Sequence, residues 1–146
     1  MREIKIFKTF TDNKEITAVS KVLKNGWLTS GILTKKFEKN LSKYLNSKNI
    51  VMTNSCTNGI FVVMKAIGLK PGDEIITSPF TFISTINSMY QLGLKIKFAD
   101  INTDDYNIDL DDLKKKISKK TKCVLVTHYG GNPCNINKIY KIWGKK

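Results

Sequence analysis

Apolar residues recur at helical spacing in the first part of the chain. Asp12 and Glu15 have the spacing of a capping box, and the apolar positions behind them continue to Gly26, a natural C-cap. A second apolar stripe predicts a helix from about Thr34. The two stripes consist of Ile16, Val19, Val22 and Leu23, and of Leu33, Phe37, Leu41 and Leu45. Two amphipathic helices are therefore expected here, joined by an irregular link at residues 27–31.

From about residue 49 the pattern alternates between strand and helix. Short runs predict strands at residues 49–53, 74–77, 95–99 and 124–126. Between and after them, helical signals stand at residues 60–67, from 81 to about 92, after Asp109 and from about Asn135. Strands that alternate with helices imply right-handed crossovers. The expected fold class is α/β, with a mostly parallel sheet and flanking helices, in one domain over residues 1–146.

Composition narrows the class of protein. With 146 residues and 41% hydrophobic positions, the chain has enough apolar material for a core, which argues against disorder. No apolar run approaches the ~20 residues of a membrane-spanning helix, and the first residues lack the apolar stretch of a signal peptide. Three cysteines do not indicate a disulfide framework. A cytoplasmic protein is expected.

The net charge of +13 raises the question of an acidic partner, most obviously nucleic acid. Only Arg2 is an arginine, however, and nucleic-acid readers depend on arginine for bidentate contacts that lysine cannot copy. Lysine, isoleucine and asparagine recur throughout, which favours a general compositional bias. A basic nucleic-acid-binding protein stays as the less favoured alternative.

The segment from Thr53 to Gly59 is the most informative for chemistry. It is a turn of small polar residues between a predicted strand and a predicted helix. Free backbone N–H groups at a helix start, with the hydroxyls of Ser55 and Thr57, suit a phosphate group. Simple helix capping explains the same residues and is favoured on the residues alone. Neither a Walker A motif nor G-x-G-x-x-G occurs there, which disfavours a dinucleotide-binding domain.

Other candidate sites are weaker. A nucleophilic pair of Cys56 and His128 is conceivable, and Cys123, His128 and Cys134 form a possible zinc set without a C-x-x-C pair. The Phe80-Thr81-Phe82 segment places aromatic rings after the second predicted strand. Core packing is the common role of such rings; a planar ligand nearby would give them another.

Five segments in order along the chain carry a family resemblance. They are GWLTSG at 26–31, NSCTN at 54–58, PGDEII at 71–76 with FTFIST at 80–85, DI at 100–101 with YNID at 106–109, and HYGGNPC at 128–134. Together they resemble the amino-terminal part of the DegT/StrS-type nucleotide-sugar aminotransferases. These are enzymes of the aspartate aminotransferase fold that depend on pyridoxal 5'-phosphate (PLP). The resemblance covers nearly the whole chain from Gly26 onward.

The resemblance implies roles for individual residues. Thr57 and Asn58 would hold the PLP phosphate through backbone N–H groups and the Thr57 hydroxyl, with Cys56 in the same turn where the family commonly has glycine or alanine. Phe82 would stack on the pyridine ring. Thr29, Ser30 and Gly31 would lie beside the sugar-nucleotide pocket. His128 would sit at the active-site end of its strand.

The resemblance also implies what these residues lack. The family's aspartate for the pyridine nitrogen and its Schiff-base lysine belong to later motifs that have no match in residues 1–146, so no catalytic residue is assigned. We therefore expect an incomplete large domain, the truncated amino-terminal portion of an enzyme that moves an amino group from glutamate onto a keto-sugar nucleotide for polysaccharide or glycoconjugate synthesis. A homodimer or a complementing chain is the expected partner. The alternative is a non-catalytic fragment that binds a partner subunit.

Overall fold

The computed structural model describes residues 8–144, which divide into two compact units between Met52 and Thr53. The first unit contains helices α1 (Asn13–Asn25) and α2 (Ile32–Tyr44). The second contains, in chain order, α3 (Cys56–Ala66), β1 (Glu74–Thr77), α4 (Ile83–Gln91), β2 (Lys95–Phe98), α5 (Leu110–Lys116), β3 (Thr121–Val124), a 3-10 turn at Tyr129–Gly131 and α6 (Ile136–Trp143). No helix of the described residues is both long and apolar enough to cross a membrane.

Local signals set the ends of the first two helices. The Asp12 carboxylate accepts from the N–H of Lys14 (2.6 Å), and the Asp12 N–H donates to Glu15 Oε2 (2.8 Å), which confirms the predicted capping box. Gly26 ends α1 in the left-handed conformation with φ 72°. Helix α2 begins two residues before the predicted Thr34, because Gly31 serves as its N-cap.

The second unit is built on a parallel sheet in the order β2-β1-β3. Glu74 pairs with Lys95 and Thr77 with Phe98 on one side of β1, while Ile75 pairs with Cys123 on the other. The expected α/β class with a parallel sheet and flanking helices is confirmed. A strand that is paired on both sides and has consecutive apolar residues belongs at the centre of such a sheet.

Helices cover both faces of this sheet. Successive side chains of a strand point to opposite faces, so Ile75 and Ile76 enter two different cores, and both are fully buried. Ile75 belongs to the cluster of Met64, Leu69, Met89, Leu92 and Leu94, from α3, α4 and the adjoining loops. Ile76 belongs to the cluster of Ala99, Ile108, Leu113, Ile117, Cys134 and Ile139, which involves α5 and α6.

Two sequence predictions about strands and turns are wrong. Residues 49–53 form no strand, because a strand needs a partner and the Met52 N–H donates instead to Glu38 Oε1 (2.8 Å). The sheet of the described residues therefore has three strands rather than four. Residues 56–59, predicted as a turn, are the first turn of α3, since Ser55 caps the helix. The strand predicted at residues 124–126 overlaps β3 only at Val124, since β3 begins at Thr121 and ends at Val124.

A buried carboxylate ties the three strands together at the amino end of β1. Glu74 is 7% exposed; its Oε1 accepts hydrogen bonds from the hydroxyls of Thr121 and Ser118, and its Oε2 lies 2.9 Å from Lys97 Nζ. The Thr121 hydroxyl, with Lys97 and Ser118, lowers the pKa of Glu74 to about 2, against the opposing effect of burial. The charged carboxylate therefore stabilises the folded sheet.

This arrangement predicts an acid-sensitive contribution to stability. We expect Glu74→Gln to lower the free energy of unfolding at neutral pH by about 1–3 kcal/mol, because a charged acceptor of three donors is replaced by a neutral amide. The folded-state pKa is depressed, so the contribution is complete above the unfolded pKa of about 4.5 and is lost as the pH falls from there towards about 2. Urea unfolding of both proteins between pH 7 and pH 2 measures the difference.

Asp104→Asn is the matched control, because the Asp104 carboxylate is exposed and accepts no hydrogen bond within residues 8–144. It should leave the free energy of unfolding nearly unchanged over the same pH range. A Glu74→Gln penalty that is independent of pH would contradict the assigned role of the carboxylate charge.

Candidate functional site

The start of α3 presents free hydrogen-bond donors. The Ser55 hydroxyl accepts from the N–H of Asn58 (3.2 Å), and the Ser55 carbonyl accepts from the N–H of Gly59 (3.0 Å). Within residues 8–144, nothing accepts from the N–H groups of Cys56 and Thr57. These two N–H groups lie at the amino end of α3, where the helix dipole is positive. This arrangement favours an anion.

Thr57 and Asn58, the two residues predicted to hold a phosphate here, differ in whether their hydrogen-bond donors are free. The N–H of Asn58 is used by the cap, and its side-chain amide donates to Asn54 Oδ1 (2.7 Å). The Thr57 hydroxyl has no hydrogen bond within the described residues, and the side chain is half-buried. The Thr57 carbonyl accepts from the Ser88 hydroxyl (3.2 Å), which also donates to the Ser84 carbonyl (2.8 Å). This contact ties the start of α3 to α4.

The loop between β1 and α4 presents an aromatic ring. Phe82 is the N-cap residue of α4, and its side chain is 77% exposed. Core packing, the common role of such a residue, is therefore not the role of Phe82. Hydrogen bonds hold the neighbouring loop residues: Thr127 Oγ1 donates to Thr81 Oγ1 (3.1 Å), and the Phe80 N–H donates to Ser78 Oγ (3.1 Å). The Phe82 ring is thus exposed on a loop that is itself fixed.

A buried hydroxyl without a partner lies at the end of the same strand. Thr77, the last residue of β1, is fully buried, and its Oγ1 makes no hydrogen bond within the described residues. By strand alternation its side chain is on the face of Ile75, which is the face that α3 and α4 cover. Buried polar groups normally have partners. The sequence did not identify Thr77 as a candidate, because no pattern along a strand shows whether a buried hydroxyl will lack a hydrogen-bond partner.

His128 has a structural contact that its sequence position did not reveal. Its Nδ1 accepts from the backbone N–H of Cys134 (3.0 Å), which places the proton of the neutral ring on Nε2. The Cys134 thiol is buried, and its one hydrogen has two acceptors within reach, Asn107 Oδ1 and the Thr127 carbonyl, both 3.2 Å from the sulfur. His128 therefore helps to close the turn at residues 128–134.

The alternative sites find no support. Burial raises the pKa of the Cys134 thiol and that of the Cys123 thiol, which opposes the thiolate form that zinc needs. No group of three His, Cys, Asp or Glu side chains suited to a metal occurs among the described residues. Cys56 is exposed, and no hydrogen bond between residues 8 and 144 joins it to His128.

The predicted substrate residues lie in the first unit. Thr29, Ser30 and Gly31 line a cleft of about 840 Å³ together with Trp27 and Leu28. The Trp27 indole N–H donates to the Ser30 carbonyl (3.1 Å) and lies against Gly31. A Cβ on Gly31 would meet Trp27 Nε1 at 2.6 Å, so only glycine permits this packing. The volume is within the range of small-molecule sites.

An α/β unit with free helix-start donors and an exposed ring after its central strand has groups that suit an anion and a planar ring. Residues 10–146 match the DegT/DnrJ/EryC1/StrS aminotransferase family, and the chain belongs to this family. The resemblance inferred from the motifs is thereby confirmed.

Relatives of this chain include proteins with assigned activities. It is 40% identical to the spore coat polysaccharide biosynthesis protein SpsC of Bacillus subtilis over 88% of this chain and 33% of that protein. It is 32% identical to the UDP-4-amino-4-deoxy-L-arabinose–oxoglutarate aminotransferase of Shewanella sediminis, over 90% of this chain and 34% of that protein. The chain thus spans about a third of the length of these relatives.

Solved structures show the same fold. A GDP-4-keto-6-deoxymannose-3-dehydratase with a trapped PLP-glutamate geminal diamine matches with a TM-score of 0.91 and 31% identity, over 99% of this chain and 39% of that one. Structural neighbours hold PLP or its amine form, pyridoxamine phosphate. The cofactor class predicted from the sequence is therefore confirmed for the family.

The packing of Trp27 on Gly31 generates a prediction. We expect Gly31→Ala to displace the indole and break its hydrogen bond to the Ser30 carbonyl, because the new methyl group would overlap the ring. The fluorescence of Trp27, measured in a Trp143→Phe background, should shift to longer wavelength. The near-ultraviolet circular dichroism should weaken.

Ser30→Ala is the control for this test, since the Ser30 side chain has no hydrogen bond among the described residues and only its carbonyl is used. It should leave both spectra unchanged. An unaltered Trp27 spectrum in Gly31→Ala would show that the indole does not pack on Gly31.

Proposed function

We propose that residues 1–146 supply the phosphate cradle and the ring platform of a PLP-dependent aminotransferase that acts on keto-sugar nucleotides. The observation that carries this proposal is the pair of unaccepted N–H groups of Cys56 and Thr57 at the start of α3. Membership of the aminotransferase family supports it. We propose the aminotransferase activity for the whole enzyme, to which residues 1–146 would contribute.

The donors present fit the cofactor phosphate. A phosphate placed at the start of α3 would accept from the N–H groups of Cys56 and Thr57 and from the Thr57 hydroxyl. Asn58 would contribute to the cradle through its position in the cap rather than through a free N–H, because Ser55 already accepts that hydrogen. Cys56 is exposed, so a phosphate could reach these donors.

The exposed ring of Phe82 suits the pyridine ring of the cofactor. An aromatic side chain that packs against few neighbours is available to stack on a pyridine ring. When bound, PLP supplies an electron sink for the charge that forms as a proton leaves the amino-bearing carbon. The residues of this chain would hold and orient it, with the phosphate fixed at α3 and the ring against Phe82.

The names of relatives and neighbours support one choice of substrate and donor. The relative from Shewanella sediminis is named for a UDP-linked amino sugar and oxoglutarate. The dehydratase structure holds a PLP-glutamate geminal diamine. We therefore propose glutamate as the amino donor and a keto-sugar nucleotide as the acceptor, with the cleft at Thr29, Ser30 and Gly31 beside the sugar-nucleotide pocket. The relative from Bacillus subtilis supports a role in polysaccharide biosynthesis.

We propose that the lysine and the aspartate of the reaction come from polypeptide outside residues 1–146, since the family resemblance gives neither role to a residue of this sequence. A base is required to move protons during amino transfer. We propose that a homodimeric or complementing arrangement brings these groups to the cradle. The cytoplasmic location stays a prediction.

Binding of pyridoxamine phosphate to the full chain tests the cradle. This probe carries the phosphate and the ring but cannot react with the many lysines of the chain. We expect reversible binding that inorganic phosphate displaces. Thr57→Val should weaken it at least about tenfold, because a hydrogen bond to a charged group is worth about 1.5–3 kcal/mol. Equilibrium dialysis measures the dissociation constants.

Thr103→Val is the matched control, since Thr103 is exposed and makes no hydrogen bond within residues 8–144. It should bind pyridoxamine phosphate as the unmodified chain does. Failure of the unmodified chain to bind, or equal binding by Thr57→Val, would overturn the cradle. Borohydride trapping of PLP on one particular lysine would overturn the assignment of that lysine to polypeptide outside these residues.

A further inference from the structure

A buried asparagine links the loops that follow two strands of the sheet. Asn107, in the loop after β2, is 4% exposed, and all of its side-chain capacity is used. Its Nδ2 donates to Asp105 Oδ2 (3.3 Å) and to the Asn132 carbonyl (3.2 Å). Its Oδ1 accepts from the Tyr129 N–H (3.1 Å) and from the Cys134 thiol (3.2 Å). We call these contacts the Asn107 network.

The Asn107 network continues into three aromatic rings. The Tyr129 ring stacks on Phe80 with centroids 4.6 Å apart and an interplanar angle of 28°. Tyr106, directly before Asn107, lies 5.9 Å from Phe80 and 5.7 Å from Tyr129. Tyr106 has φ 58°, a left-handed conformation that a bulky residue adopts at a cost unless its surroundings enforce it. The three rings come from the loops after β1, β2 and β3.

Phe80 connects this cluster to the exposed ring of Phe82. Only Thr81 separates the two residues, and Thr81 is itself held by the Thr127 hydroxyl at 3.1 Å. The Phe82 side chain is 77% exposed, so its own packing does little to fix the ring. The Phe82 backbone is held on one side by α4, where its carbonyl accepts from the Thr85 N–H (3.0 Å), and on the other side by the contacts of Phe80 and Thr81 with the loop after β3. Asn107 fixes that loop at the Tyr129 N–H.

We infer that Asn107 is a positioning residue that sets the orientation of Phe82 towards the cofactor ring, through Tyr129 and Phe80. This inference rests on the proposed function, since it takes the ring that Phe82 meets to be the cofactor's. No hydrogen bond within the described residues joins the start of α3 to the Asn107 network. Phosphate binding and ring binding are therefore separable.

Measuring two ligands with the Asn107→Ala variant of the full chain separates phosphate binding from ring binding. We expect the affinity for pyridoxamine phosphate to fall about tenfold and the affinity for inorganic phosphate to stay unchanged, because only the larger probe uses the ring platform. Amide hydrogen exchange should accelerate at least tenfold at residues 78–85, with no acceleration at residues 55–60. A general loss of structure would instead affect both segments and both ligands.

A second variant keeps the test valid where Asn107→Ala does not fold. Tyr129→Leu removes the ring that stacks on Phe80 but retains the backbone N–H that Asn107 accepts from. It should cause the same selective loss of affinity for pyridoxamine phosphate. Asn87→Ala is the control, because Asn87 is exposed on α4 and makes no hydrogen bond through its side chain within residues 8–144. It should bind both probes normally.

The outcomes distinguish this inference from the proposed function. If the unmodified chain binds neither probe, the proposed function fails, and the role of Asn107 towards the cofactor fails with it. If the unmodified chain binds both and the variants either bind both normally or lose both equally, the proposed function stands and the positioning role is wrong. Selective loss of the larger probe, with faster exchange at residues 78–85, supports the positioning role.

Discussion

The second unit depends on the central strand β1 being paired on both edges and buried on both faces. Ile75 and Ile76 are each fully buried, in two separate cores, so one four-residue strand joins helices on opposite sides of the sheet. At the amino end of β1 the Glu74 carboxylate accepts from side chains on both neighbouring sides of the sheet, while the Thr77 hydroxyl at the carboxyl end has no partner among the described residues. The polar contacts that stabilise β1 and the unpartnered hydroxyl beside the candidate site thus lie at opposite ends of one strand.

This separation explains why the candidate site consists of exposed groups on fixed backbone. A rigid scaffold with variable loops is the usual way in which a fold supports binding. Here the loops after all three strands are joined by the Asn107 network and its aromatic rings, while Phe82 and the first N–H groups of α3 are left for a ligand. Loops held in this way would lower the entropic cost of binding a ligand there, because little would remain to be immobilised.

Local signals explain why much of the fold was predictable. The capping box at Asp12, the C-cap at Gly26 and the apolar run of β1 each act within a few residues, and each has the predicted structure. The strand predicted at residues 49–53 failed because pairing is not local: its apolar pattern suits a strand, but no ladder forms among the described residues. The start of α3 was misplaced for a related reason, since polar residues that favour turns also favour the first turn of a capped helix.

The sequence by itself determined the family, the caps of α1 and the choice of candidate cofactor residues, because ordered motifs and caps depend on neighbours along the chain. The conformation of the turn before α3 decided which donors are free: Ser55 takes the N–H of Asn58 and leaves those of Cys56 and Thr57. Tertiary structure alone decided that Asn107 is a buried link to the loop after β3, where its partners Tyr129 and Asn132 lie 22 and 25 residues further along the chain. Such contacts depend on how strands bring distant loops together, and no local pattern records that.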